Sequence, residues 1–167
     1  MRNLVLWGVL AVILALVNDL IYDKEAALAE GEAMLLELQP RDPRSLLQGD
    51  YMSLRYQLGS ELASRASGAM ADGHAVVRLD DQRVARFVRL HDGGTPLALD
   101  ERLLRFRKRG GAVRIAGDAF FFQEGQAAIY QPARYGELRV ARGGEAVLVG
   151  LRDADFRVLA PDQRGPQ

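Results

Sequence analysis

The stretch LLRFRKRGGAVRIAG, residues 103–117, limits the possible folds more than any other. Leu104 and Phe106 fall on one face of an extended chain and Arg105 and Arg107 on the other, because successive side chains of a strand point to opposite sides. Arg109, Gly110 and Gly111 supply a turn, and Val113 and Ile115 return opposite Arg114, which spells a β-hairpin. The same pattern recurs in ELRVARGGEAVLVGL, residues 137–151, around Gly143 and Gly144. A third copy, HAVVRLDDQRVARFVRL at residues 74–90, turns at Asp80 to Gln82. Connections this short cannot hold crossover helices, so the pairing is antiparallel.

Further strands are expected at Met34 to Leu38 and at Tyr51 to Leu58, giving about eight. Two Ala-rich segments, Ser60 to Ala71 and Glu124 to Glu137, read as short helices, the second limited by Gly125 and Pro132. The fold class is therefore mainly β, a β-rich α+β arrangement: an antiparallel sheet or barrel-like domain with one or two short helices. With 49% hydrophobic residues the chain can fill a core. The domain is expected over residues 33–159, ahead of a polar tail at 160–167.

The N-terminal part obeys a different pattern. Leu4 to Val17 is an unbroken apolar run, and Leu20 to Tyr22 resume it after Asn18 and Asp19. Residues 4–22 together approach the ~20 needed to cross a bilayer. They are read as a single transmembrane signal anchor within residues 1–22, followed by a helical stalk at 23–32 that ends at Gly31. Arg2 precedes the run, and Asp19, Asp23 and Glu25 follow it. The positive-inside rule then leaves the N-terminus cytoplasmic and the domain periplasmic, at a bacterial inner membrane. A cleaved signal peptide is the rival reading, but its only small-x-small site, Ala27 to Ala29, lies far beyond the apolar run. A buried core helix is a third, opposed by the missing polar stripe.

Between the anchor and the first hairpin lies PRDPRSLLQGDYMSLRY, residues 40–56. Pro43 after Asp42 opens a turn, Gly49 adds backbone freedom and Asp50 offers a carboxylate to nearby amides. From Tyr51 the residues alternate: Tyr51, Ser53, Arg55 and Gln57 form a polar wall, and Met52, Leu54, Tyr56 and Leu58 an apolar one.

The segment GDYMSLRY, with Gly49, Asp50, Tyr51, Leu54 and Tyr56 in place, is similar to the signature of the GDYXXLXY family of bacterial proteins. Pro40, Asp42, Pro43 and Arg44 resemble its lead-in. FFFQEGQAAIYQPARYGELRV looks like its second block, through Phe122, Glu124, Gly125, Arg134, Tyr135 and Gly136. The resemblance implies a membrane-associated protein with a multi-pass membrane protein as its partner class. It implies no reaction.

The binding or motif residues are thus Asp42, Pro43, Arg44, Gly49, Asp50, Tyr51, Leu54, Tyr56, Glu124, Arg134 and Tyr135. Two chemical readings of them stand side by side. Asp50 and Glu124 could share acid–base work if burial parted their pKa values. Alternatively Asp50 caps a turn, Glu124 starts a helix and Arg134 pairs with one of them. No catalytic set is assigned.

Other chemistries find less support. With no cysteine there are no thiolate sites, and His74 and His91 read as turn residues without a second metal ligand at suitable spacing, so no metal or cofactor is expected. Lys108, in a hairpin turn, is no dry site for a Ser-Lys dyad. The 22 basic residues balance 22 acidic ones, so no global field recruits nucleic acid. The basic run from Arg102 to Arg109 reads as a solvated strand face, and Phe120 to Phe122 as core and groove lining. The expectation is a non-enzymatic interaction or accessory module held in the bilayer through residues 4–22. The alternative is an envelope hydrolase or small-ligand binder acting through Asp50 and Glu124.

Overall fold

The computed structural model describes residues 7–15, 17–18, 28–40, 47–48, 51–65, 72–109 and 112–161. In chain order its strands are β1 (Glu32–Glu37), β2 (Leu47–Gln48), β3 (Tyr51–Ser53), β4 (Asp72–Leu79), β5 (Ala85–Leu90) and β6 (Glu101–Arg109). They continue with β7 (Ala112–Arg114), β8 (Ala119–Phe121), β9 (Tyr135–Val140), β10 (Ala146–Arg152) and β11 (Val158–Leu159). Residues 7–15 and 17–18 are helical and are labelled α1. The other two labelled helices are α2 (Gln57–Arg65) and α3 (Ala127–Tyr130).

The strands form three curled antiparallel sheets, ordered β1-β9-β10-β11, β2-β3-β8 and β5-β4-β6-β7. All three expected hairpins are present. β6 returns as β7 with Arg109 opposite Ala112. β9 returns as β10 with Val140 opposite Ala146. β4 returns as β5 with Leu79 opposite Ala85, the Asp80 carboxylate accepting the Gln82 and Val84 amides. A fourth hairpin, β10–β11, has no glycine in its turn. There the Asp153 carboxylate accepts the Asp155 and Arg157 amides while Phe156 takes φ 63°.

Contacts between strands and the turns of neighbouring hairpins tie the sheets together. The Leu35 amide donates to the Arg83 carbonyl over 2.9 Å, and the Arg105 amide to the Gly144 carbonyl over 2.8 Å. Gly144 is a required glycine, since it has φ 90° and any Cβ would stand 3.1 Å from the Arg105 nitrogen and 3.2 Å from the Leu103 carbonyl carbon. Met34, Leu36, Leu104, Phe106, Leu138 and Leu151 are fully buried where these sheets meet. Each such side chain stabilises the fold by roughly 1.5–3 kcal/mol relative to leaving it in water.

Several expectations are corrected. The strand expected over Tyr51 to Leu58 stops at Ser53, and α2 begins at Gln57, earlier than the expected Ser60. The alternation persists regardless: Met52, Leu54, Tyr56 and Leu58 are buried, and Arg55 and Gln57 exposed. The helix expected from Glu124 is the single turn α3, because Gln123 to Gln126 form a preceding turn with Gly125 at φ 84°. His74 lies within β4 rather than in a turn, and the His91 amide donates to its carbonyl over 2.9 Å.

Among the described residues, no helix is long and apolar enough to cross a membrane. The described residues of α1 are exposed along their whole length, Trp7 at 69%. No polar stripe and no buried face is found there, so the core-helix reading does not hold for them. The expected span also takes in residues 4–6, 16 and 19–22, which lie outside the described residues. Of the expected stalk, residues 28–30 are helical and 23–27 lie outside.

Candidate functional site

Leu38 and Gln39 extend β1 past its last paired residue. On one side the Leu38 amide donates to the Arg134 carbonyl over 2.8 Å. On the other the Gln39 amide donates to the Arg55 carbonyl, also over 2.8 Å. Two short backbone contacts therefore join segments about eighty positions apart in sequence. Arg55 of the first motif and Arg134 of the second block thus become neighbours across one piece of chain.

Side chains reinforce this junction on its inner side. Tyr56 is 6% exposed, and its hydroxyl donates to the Gly117 carbonyl over 3.0 Å. A Cβ on Gly136 would stand 2.9 Å from a Tyr56 ring carbon, so only a glycine lets the ring lie against β9. Leu54 is also buried, and its amide donates to the Asp118 carbonyl over 2.8 Å. Burial, with Asp118 adding to it, raises the Tyr56 pKa far above the usual phenol range. The phenol is thus a neutral donor, and Leu54 and Tyr56 are scaffold residues.

Tyr51 and Tyr135 are each fixed by an aromatic neighbour. Tyr51 pairs with Phe121 across β3–β8, their rings 5.8 Å apart. Tyr135 stacks on Phe156 at 4.8 Å. Beside it Arg152 makes a bidentate pair with Glu137 at 2.9 and 3.0 Å, and that hydrogen bonding raises the guanidinium pKa. Phe120 and Phe122 pack on Tyr130, so most of the triple phenylalanine is core as expected, whereas Phe121 is 74% exposed.

The outer side of the junction is open. Gln39, Pro40, Ser53, Arg55, Gln131 and Arg134 are among the residues lining a groove of about 260 Å³, floored by Leu38, Met52 and Leu54. A neighbouring hollow of about 420 Å³ shares Gln39, Ser53, Leu54 and Arg55 with it and extends towards α2, Arg114 and Asp118. Gln39 is held there by a hydrogen bond to the Ser60 hydroxyl, and Arg114 by an ion pair with Asp118 at 3.1 Å. The first groove carries two guanidinium groups, and no carboxylate lines it among the described residues. Neither Arg55 nor Arg134 forms an ion pair there with a described residue.

Of the residues singled out from the sequence, the structure brings Leu54 and Arg134 to this groove and Tyr56 directly beneath the junction. Tyr51 and Tyr135 lie apart, on aromatic partners of their own. Glu124 is exposed in the turn before α3 and lines no part of the groove. It does not start the helix either, since the N-cap is Gln126 and the first turn holds no acid. Asp42, Pro43, Arg44, Gly49 and Asp50 lie outside the described residues. Arg55, Gln39 and Gln131 were not singled out as site residues. Only the polar alternation after Tyr51 pointed to Arg55.

Three of the five basic residues on β6 are matched by acids. Arg102 pairs with Glu32, Arg105 with Glu145 at 3.2 Å and Arg109 with Asp72 at 3.7 Å. These three pairs reduce the unmatched charge that the strand offers to a polyanion. Among the described residues no group of three or more His, Asp or Glu side chains is placed to hold a metal ion.

A β-rich body in which two motif blocks close on one another is the class of protein that this geometry defines. The chain belongs to the GDYXXLXY family: the family model, described as GDYXXLXY protein, matches residues 13–151. No curated protein and no solved structure matches it.

Proposed function

We propose that this chain is a membrane-anchored envelope protein that works as a non-enzymatic interaction module, docking on a multi-pass membrane partner. The reading has the N-terminus cytoplasmic and the β-body on the periplasmic side of a bacterial inner membrane. One observation carries it: Trp7, Val9, Leu10, Val12, Ile13 and Leu14 of α1 are all exposed, on every side of the helix. Water solvates such a surface poorly, and a bilayer or a membrane partner is the medium that would cover it. The apolar run on either side, from Leu4 to Tyr22, lengthens that surface towards a span.

The motif residues support a module rather than an enzyme. Leu54, Tyr56 and Gly136 are occupied by packing, and Glu124 is solvent-exposed and lines no part of the groove.

Membrane extraction tests the proposal. The full chain, expressed in a bacterium, should remain in the membrane pellet after an alkaline carbonate wash. An Ile13→Lys variant should release a large part into the supernatant, because a lysine near the centre of a span costs about 2.5–3.5 kcal/mol. Quantitative recovery of the unaltered chain in the soluble fraction would refute the anchor.

A further inference from the structure

We infer that the Arg55–Arg134 groove is a recognition site for an acidic segment of extended peptide, in which a carboxylate side chain is flanked by apolar ones. The inference rests on the docking reading above and names the chemistry by which docking would occur.

Charge complementarity comes first. Arg55 and Arg134 line one groove with Gln39, Ser53 and Gln131, a set of five side chains rich in donors. No described lining residue is an acid, and neither guanidinium group forms an ion pair with a described residue. Elsewhere most of the described arginines are paired, although Arg107, Arg139 and Arg142 form no ion pair with a described residue. Arg65, Arg78, Arg83, Arg86, Arg89 and Arg102 each face a carboxylate of this chain. What sets Arg55 and Arg134 apart is that they share one concavity lined by no described carboxylate. A guanidinium presents a planar fork that fits a carboxylate through two parallel hydrogen bonds, so an anion is the fitting occupant.

Shape selects a peptide among anions. The groove is a trough open to solvent, with Pro40 and Pro132 on its lining and Leu38, Met52 and Leu54 beneath. It shares four residues with the second hollow, so an occupant can lie across both. A small anion would reach the guanidinium groups but leave the apolar floor unused. Alternating acidic and apolar side chains, as an extended strand presents them, would use both. The floor is also rigid, because Leu54 and Met52 belong to the buried core. Little ordering cost is then paid on the side of this protein.

The test uses the full chain in detergent micelles and two fluorescein-labelled peptides, one alternating leucine with aspartate and the other leucine with asparagine. Fluorescence anisotropy should give a Kd about tenfold lower for the aspartate peptide, the size expected for a charge-assisted pair. The Arg55→Gln, Arg134→Gln double variant should bind both peptides equally, with its melting temperature unchanged. Equal affinity of the two peptides for the unaltered chain would overturn the inference, as would an aspartate preference that survives in the double variant. Displacement of the aspartate peptide by inorganic phosphate at comparable concentration would overturn it too, in favour of a small-anion site. The outcome is independent of carbonate extraction, so a failed anchor and a failed groove are told apart.

Discussion

The two faces of the β1 extension are built from the same two stretches of sequence and have opposite fates. Inside, Tyr56 lies so close to Gly136 that a Cβ there would stand only 2.9 Å from its ring, and Leu54 is sealed at 4% exposure. Outside, Arg55 and Arg134 meet solvent over an apolar trough. Alternate residues of one extended segment supply both, since neighbouring side chains leave a strand in opposite directions. The fixed letters of the signature that the structure describes beyond Tyr51, Leu54 and Tyr56, are core residues. Of its open positions, Ser53 and Arg55 reach the groove. Leu54 and Tyr56 of the signature are therefore scaffold residues, while its open positions Ser53 and Arg55 put polar groups on the groove.

Substitutions should separate the two faces by energy. Tyr56→Ala empties a buried aromatic site and should lower unfolding stability in urea by about 3–5 kcal/mol. Gly136→Ala forces a methyl group against the Tyr56 ring and should cost about 1–3 kcal/mol. Gly144→Ala should fall in the same range, because backbone atoms of β6 rather than a movable side chain stand in its way. Tyr56→Phe removes only the bond to the Gly117 carbonyl, worth about 1 kcal/mol. On the outer face, Arg55→Gln and Arg134→Gln should each stay within about 0.5 kcal/mol of the unaltered chain.

pH distinguishes a buried group from an exposed one in the same way. The Tyr56 pKa is raised in the folded state, so its contribution to stability is whole below the ordinary phenol value near 10. It is lost as pH rises towards the folded value. Stability should fall in strong alkali, and Tyr56→Phe should flatten that fall. Asp92 behaves inversely. Its carboxylate accepts the Thr95 amide and hydroxyl and the Gly94 amide, which lower its pKa from 3.8 to about 2. Its hold on the 92–95 turn is therefore present above pH 4 and lost as pH falls through 2. The Thr95 amide resonance should move with that midpoint, the smallest of these effects because the site is fully exposed.

How much of this was legible depended on whether a signal was local. The β4–β5, β6–β7 and β9–β10 hairpins could be read because their strands alternate and, in two of them, paired glycines mark the turn. The β10–β11 turn escaped because Asp153 closes it with a side chain and Phe156, not glycine, takes the positive φ. The end of β3 escaped because the burial alternation runs on to Leu58 after the ladder stops at Ser53. In the site, Leu54, Tyr56 and Arg134 were picked out by motif, but the partnership of Tyr56 with Gly136 links positions far apart in sequence. Only packing reveals it. Gln39 and Arg55 meet through a backbone bond, which no side-chain pattern announces.

The contact between the two motif blocks is open to direct test by a double-mutant cycle on Tyr56 and Gly136. Gly136→Ala is measured by urea unfolding in the unaltered chain and again in a Tyr56→Ala background. If the ring rests on the glycine, the cost of the added methyl should shrink by about 1 kcal/mol or more once the ring is gone. Equal costs in the two backgrounds would mean that the blocks do not touch there, and the scaffold described for this family member would be wrong.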